Sequence, residues 1–405
     1  LVNIVTAVNV GSKDENELTN GFTHLLEHLI LFRGTEKRSG EEILKEMRSH
    51  GAYFNGHTGR DVTTFEISIP SKFFNFALEI HKEMLFNLKI TEKGLKEEKE
   101  IILKEINSYF DDPEQYGQKL MYEQLFKGHP YSFPIYGNKE NIKRVTVEEI
   151  YSFYKNYFTP SNCALCVVGD IDKDYAIEKI REIFENIPSR EVKHQEIMPS
   201  KPLSKTVKSI VYKDIEQAYI IIGIRAPCFE DDEQISMYIL TKIIGSGFNP
   251  RLWRAFEKRG RIIHNIKMFY IPYKYCGVVT LIITLPSKRV KTAERIIRKV
   301  LKGARSSRYS KDEYMLRENY YLPVLDELES AKNQAKIEQY AGFEIGLNIA
   351  MAVSKFLILR KNKTNESFIE KINKVNPTDL RKVASKYLYQ DRYSIVIIKP
   401  ENEKK

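Results

Sequence analysis

Along the first half of the chain the hydrophobic pattern switches between two periods. Apolar runs at Leu1 to Val10, Val62 to Ile69 and Ala164 to Val168 read as strands, since successive strand side chains point to opposite faces. Between them, apolar residues recur at helical spacing over Phe22 to Phe32, Glu41 to Ser49, Phe73 to Leu88, Glu97 to Tyr109, Val147 to Tyr157 and Asp174 to Phe184. Asn55-Gly56-His57-Thr58, ahead of the second strand-like run, reads as a hairpin arm or edge strand. Pro188 to Ser204 carries three prolines, mixed charge and little periodicity, and reads as a linker. Beyond it the first strand-like run is Tyr219 to Ile224.

The second half repeats parts of the first. ISIPSKFFNFALEIHKEML, from Ile67, matches ITLPSKRVKTAERIIRKVL, from Ile283, through a shared Pro-Ser-Lys and the helix after it. A helix ending at Met47 before Gly51 matches one ending at Phe256 before Gly260, and Phe32-Arg33-Gly34 corresponds to Ile243-Ile244-Gly245. A chain of 405 residues also exceeds one ordinary core, which stops growing at about 250 to 300 residues. The expectation is an α+β fold of two similar αβ domains, each a mainly antiparallel sheet with helices packed on one face. Residues 1–190 form the first, 191–204 the linker and 205–405 the second.

Composition narrows the function classes. The formal charge is +10, but Lys and Arg alternate with Asp and Glu throughout, which describes a solvated surface rather than a nucleic-acid patch. No run approaches the roughly 18 uncharged apolar residues of a membrane span. Four cysteines are too few for a disulfide framework, and Cys163 and Cys166 fall on opposite faces of a strand, where they cannot share a metal. The chain opens inside a strand-like run without Met, and a cytoplasmic bacterial protein is expected, or a periplasmic one if a leader was trimmed.

The chemistry concentrates in GFTHLLEHLILF, Gly21 to Phe32. From Phe22 onward only Thr23, His24, Glu27 and His28 interrupt the apolar sequence. At about 100° per residue His28 lies about 40° from His24, and Glu27 about 60° to its other side, so all three share a face. Imidazoles one turn apart are a helical bite for zinc; two core histidines bonded to a buried glutamate would give the same pattern. A second signal lies in LKEEKEIILKEINSYF, Leu95 to Phe110, whose apolar stripe of Ile101, Ile102, Ile106 and Tyr109 is interrupted by Glu98 and Glu105. Carboxylates in a core stripe need pairing or a metal, unless both reach solvent at the helix edge.

Together these features resemble the inverzincin zinc peptidases: pitrilysin, insulysin and the mitochondrial processing peptidase. HLLEH is followed 77 residues after His28 by Glu105, with Glu98 seven residues before it. GAYFNGHTGRDVTTFE, HPYSFPIYGN and FYKNYFTPSNCALCVVGDI are similar to blocks of the half-size, two-domain branch. The resemblance implies one Zn2+ held by His24, His28 and Glu105, Glu27 as the catalytic general base, and Glu98 steadying a histidine ring. It also implies two domains enclosing a peptide-binding chamber, and substrate contacts at Asn55, Gly56 and Thr58. The family has Ala where this chain has Gly56, a mild departure, and an Asn-Gly turn without any ligand role is the alternative reading of that segment.

The second half departs from the family. An Arg and a Tyr seven residues apart that reach the scissile carbonyl are replaced by Phe256 and Ile263 when Glu257-Lys258-Arg259-Gly260 is aligned. The expected partner is therefore a zinc-less homologous subunit supplying an Arg-Tyr pair, with Arg254, Arg259, Arg261 or His264 as substitutes within the chain. A non-catalytic scaffold, like the core subunits of the respiratory bc1 complex, is the main rival. A basic nucleic-acid binder is the third reading, and the interleaved charge opposes it.

Overall fold

The computed structural model describes residues 1–260, 262–306, 327–359, 367–389 and 392–404. In chain order the elements are β1 (Val2–Val8), α1 (Phe22–Phe32), α2 (Gly40–Ser49), β2 (Tyr53–Thr58), β3 (Thr63–Ile69), α3 (Phe74–Phe86), α4 (Glu92–Asp111) and α5 (Pro113–Leu125). There follow α6 (Lys139–Arg144), α7 (Val147–Tyr157), β4 (Cys163–Gly169), α8 (Lys173–Phe184), β5 (Val207–Lys213), β6 (Ala218–Ala226), α9 (Gln234–Thr241) and α10 (Arg251–Glu257). The remainder is β7 (Asn265–Ile271), β8 (Gly277–Leu285), α11 (Val290–Ser306), α12 (Glu327–Phe343), α13 (Gly346–Leu359), α14 (Phe368–Lys374), α15 (Pro377–Tyr387) and β9 (Ser394–Pro400). The fold is α+β, in two compact units.

The first unit comprises Leu1–Tyr109, Phe133–Glu196 and Ala341–Lys361. Its sheet has the order β2-β3-β1-β4 with every pair antiparallel, so β2 is an edge. Helices α1 and α3 cover one face, and α13 lies across β1, β3 and β4 on the other. Burial from both sides explains why all seven residues of β1 are buried and why its sequence is nearly continuous in apolar residues.

The second unit comprises Phe110–Ser132, Ile197–Tyr340 and Asn362–Lys405, with strand order β5-β9-β6-β8-β7. All its strand pairs are antiparallel except β5 with β9. Here α5 packs on β6 and β9. Two glycines let it lie close: a Cβ at Gly117 would stand 2.5 Å from Ile221 Cδ1, and one at Gly223 would overlap Met121. The periodicity reading missed both α5 and β5. Each unit thus takes one covering helix from the other half of the sequence, which adds a second covered face to the expected architecture.

The sequence repeat has a physical counterpart. Pro70 (φ −56°, ψ 133°) and Pro286 (φ −60°, ψ 134°) each end a strand and open a three-residue 3₁₀ turn that leads into α3 and α11. Gly51 and Gly260, after α2 and α10, both occupy the left-handed region at φ 68° and 80°. Among the described residues no single helix is long and apolar enough to cross a membrane.

Candidate metal and catalytic site

Helix α1 begins without a side-chain cap of its own, because its N-cap, Gly21 at φ 104°, has no side chain. Glu15 takes over that role from six residues away. Its carboxylate accepts from the backbone N–H groups of Gly21 (2.9 Å) and Thr23 (2.8 Å) and from Asn20 Nδ2 (2.8 Å). The sequence reading missed Glu15, since a cap reaching forward from a loop leaves no periodic signal.

With its start fixed, α1 presents His24, Glu27 and His28 from a helix buried from Phe22 to Leu31. Helix α4 starts five residues earlier than its periodicity indicated and brings Glu98 and Glu105 to the same place. Glu98, fully buried, accepts from His28 Nδ1 at 3.0 Å and from Arg33 Nε at 2.5 Å. Nδ1 then carries the proton and the Nε2 lone pair of His28 faces Glu105, 3.4 Å away. His24 Nε2 is 3.9 Å from the same Glu105 oxygen. One potential ligand atom from each of His24, His28 and Glu105 lies within 4.8 Å of the others.

Three potential ligand atoms, two ring nitrogens and one carboxylate oxygen, converge here. Neutral imidazoles and a carboxylate are zinc ligands, and a tetrahedral site with bonds of about 2.0 to 2.1 Å separates its ligand atoms by about 3.3 to 3.4 Å. The cluster therefore fits a zinc ion with only small adjustment. Burial and the adjacent His28 depress His24 to about 3, which keeps its ring neutral. For His28 burial acts downward, but the Glu98 bond and the Glu105 and Glu27 charges outweigh it, and the ring is raised above its ordinary 6.5.

Glu27 projects from the same face toward β2. Thr58 Oγ1 donates to its Oε2 at 2.5 Å, and a Cβ at Gly56 would stand 2.8 Å from its Cγ. Burial pushes the Glu27 carboxyl above the usual carboxylate range, opposed chiefly by the Thr58 bond. Thus Gly56 and Thr58 meet the proposed base directly. Asn55 alternates to the opposite face of β2, where its Nδ2 donates to Tyr53 Oη at 3.3 Å. His57, also on that face, is 3.6 Å from Glu66 and outside the ligand cluster.

Beside Glu105 opens a cleft of about 470 Å³ whose apolar wall is Phe32, Leu44 and Ile101. Ile101 was expected in the core stripe of α4 but is 39% exposed, because α4 turns that side toward the cleft. Tyr136 packs edge-on against His24, and burial with the Glu105 and Glu27 charges raises its phenol above 10. In the second unit Phe256 and Ile263 are buried in the core. Arg254 is paired with Glu327, and Arg261 lies outside the described residues.

An antiparallel αβ unit with a buried His-x-x-Glu-His helix and a distant glutamate defines a class of metallopeptidase-like proteins. Residues 2–139 match the family model described as insulinase, peptidase family M16, and residues 144–315 match that described as peptidase M16 inactive domain. The chain belongs to peptidase family M16. It is 23% identical over 395 residues to a Bacillus subtilis protein named uncharacterized zinc protease YmxG, covering 97% of this chain and 91% of that one. Against the probable mitochondrial-processing peptidase subunit beta of Arabidopsis thaliana it is 22% identical, covering 97% of this chain and 73% of the relative. A protease from Helicobacter pylori has the same fold, with a TM-score of 0.89 at 20% identity, over 98% of this chain and 94% of that one.

Proposed function

We propose that this chain is a zinc metalloendopeptidase subunit that hydrolyses peptides or short unfolded segments, with His24, His28 and Glu105 as ligands and Glu27 as general base. The observation that carries this reading is the meeting of three ligand atoms within 4.8 Å, with Glu27 held beside them on the same helix face. Zinc, when bound, supplies a Lewis acid for the peptide carbonyl and makes water acidic enough to lose a proton near neutral pH.

The chain's own residues do the rest. Glu27 accepts the proton of the attacking water and returns it to the leaving amine, and Thr58 keeps its carboxylate in register. Glu98, anchored by Arg33, holds the His28 ring in the orientation that leaves Nε2 free. The outer edge of β2 has no strand partner among the described residues of its unit, so an extended peptide can add to it through backbone hydrogen bonds. Gly56, lacking a side chain, keeps that approach open beside Glu27; Asn55 acts from the strand's other face. A zinc-less homologous partner supplies the Arg-Tyr pair for full activity, a reading supported by the core burial of Phe256 and Ile263. We keep residues 1–190 as the catalytic domain, 191–204 as the linker and 205–405 as the second homologous domain within this proposal.

The test is metal analysis together with peptide turnover, for the chain alone and mixed with a zinc-less homologue. The expected result is one zinc per chain, lost in His24→Ala, and turnover abolished in Glu27→Gln with the metal retained. A wild-type chain that takes up no zinc and cleaves nothing in either setting sinks the proposal in favour of a scaffold.

A further inference from the structure

We propose that Tyr136 is a catalytic hydrogen-bond donor, its hydroxyl meeting the oxygen of the scissile carbonyl as that oxygen gains negative charge. This rests on the peptidase reading above.

The placement of Tyr136 is set by backbone rather than by a flexible side chain. Gly137 stands at φ 86°, and a Cβ there would overlap the Cα of Gly21, the N-cap of α1. A Cβ on Gly21 would in turn stand 2.9 Å from Gly137 Cα. Two glycines therefore press the loop onto the end of the helix whose first turn carries His24. Hydrogen bonds lock the same junction: Asn20 Nδ2 donates to Pro134 O (3.0 Å), Asn138 N to Asn20 O (3.3 Å) and Asn141 Nδ2 to Glu17 O (2.9 Å). The Tyr136 ring is then gripped from two sides, edge-on to His24 at 5.0 Å and 77°, and tilted on Tyr109 at 4.7 Å, one turn beyond Glu105 on α4.

Packing uses the ring but not the hydroxyl. The residue is half-buried, and its oxygen makes no hydrogen bond to any described residue. Of the neighbouring donors, Thr58 is committed to Glu27, His28 Nδ1 to Glu98 and Arg33 to Glu97 and Glu98, while His24 Nδ1 is buried without a partner among the described residues, on the far side of its ring from the Nε2 that meets Glu105. Phenylalanine would fill the same space, so the phenol is the part without a structural task. The Tyr136 phenol, its ring against His24 and within the field of the Glu105 and Glu27 carboxylates, is a neutral O–H able to stabilise a developing oxyanion.

In the step itself, the water oxygen bonds to the carbonyl carbon while Glu27 takes one water proton. The π pair moves onto the carbonyl oxygen, which accepts the Tyr136 hydrogen bond. As the pair returns, the C–N bond breaks and the proton on Glu27 passes to the leaving nitrogen. Tyr136 transfers no proton, so the balance closes without it.

The test is Tyr136→Phe in the full zinc-loaded chain, with its homologous partner where turnover requires one. The measurements are zinc content, kcat, KM and the affinity of a phosphinic peptide, whose tetrahedral centre mimics the oxyanion. The expected result is unchanged zinc and KM, with kcat and phosphinic affinity each reduced about 10²-fold. If zinc-loaded wild type and Tyr136→Phe agree in kcat and in phosphinic affinity, the assignment falls while the peptidase reading stands. Zinc lost from Tyr136→Phe overturns it differently, by assigning the residue to His24 positioning. A wild-type chain that binds no zinc removes the peptidase reading and this assignment together.

Discussion

Glu27 works under two opposing influences that lie in different elements. Desolvation within α1 favours its neutral acid, and the Thr58 hydroxyl from β2 favours its carboxylate. A base must be ionised to act, so activity is expected to fall as pH drops through a carboxyl value above the ordinary range. Removing the Thr58 donor raises that value further. Thr58→Val should therefore shift the acid limb of the kcat profile to higher pH and lower kcat at neutral pH, with zinc content unchanged; a pH-rate profile beside metal analysis checks it. Thr58 was legible from sequence as a site residue, but as a substrate contact. That it meets Glu27 depends on β2 facing α1 with its even-numbered side.

At the scale of elements, α1, which carries the proposed ligands His24 and His28, is held at its N-terminal end by contacts rather than by its own sequence. Glu15 caps it, and the Gly137 loop is pressed against its first residue. Alanine at Gly137 has to occupy a left-handed conformation and push Gly21 aside, at a cost of about 2 kcal/mol or more. Gly137→Ala is expected to lower the urea midpoint accordingly and to reduce turnover, since moving the loop or α1 disturbs Tyr136 and His24 together. Gly128, at φ 76° but with nothing near its Cβ, is the matched control: alanine there should cost less and leave turnover intact. Periodicity located α1, α2, α3, α4, α7 and α8, whose apolar positions recur at helical spacing. It missed α5, whose buried stripe of Gly117, Met121, Tyr122 and Leu125 opens on a glycine and leaves apolar side chains only in the last turns, against a sheet from the other half of the chain.

The whole molecule carries buried groups that link stability to pH. His81 is buried, bonds Thr6 Oγ1 at 2.8 Å, and is held down to about 3 by burial. Between its unfolded value of 6.5 and about 3 the unfolded chain holds one more proton than the folded one. Stability must then rise with pH across that window and decline as pH falls below 6.5, by up to about 1.4 kcal/mol per unit. Urea melts of the metal-free chain at pH 7 and pH 5 should show this decline. His81→Gln should lower stability at pH 7 and flatten the slope.

By itself the sequence determined the α+β class, the repeated Pro-Ser-Lys corners and the residues of the candidate metal cluster. These follow from short-range rules: helical period puts His24, Glu27 and His28 on one face, and carboxylates in an apolar stripe single out Glu98 and Glu105. Only the tertiary structure decided which helix covers the second face of each sheet, which strand face Asn55 takes, and that Tyr136 stands against His24. Each of those is a contact between segments far apart in the chain, set by shape and burial. Local period carries no record of it.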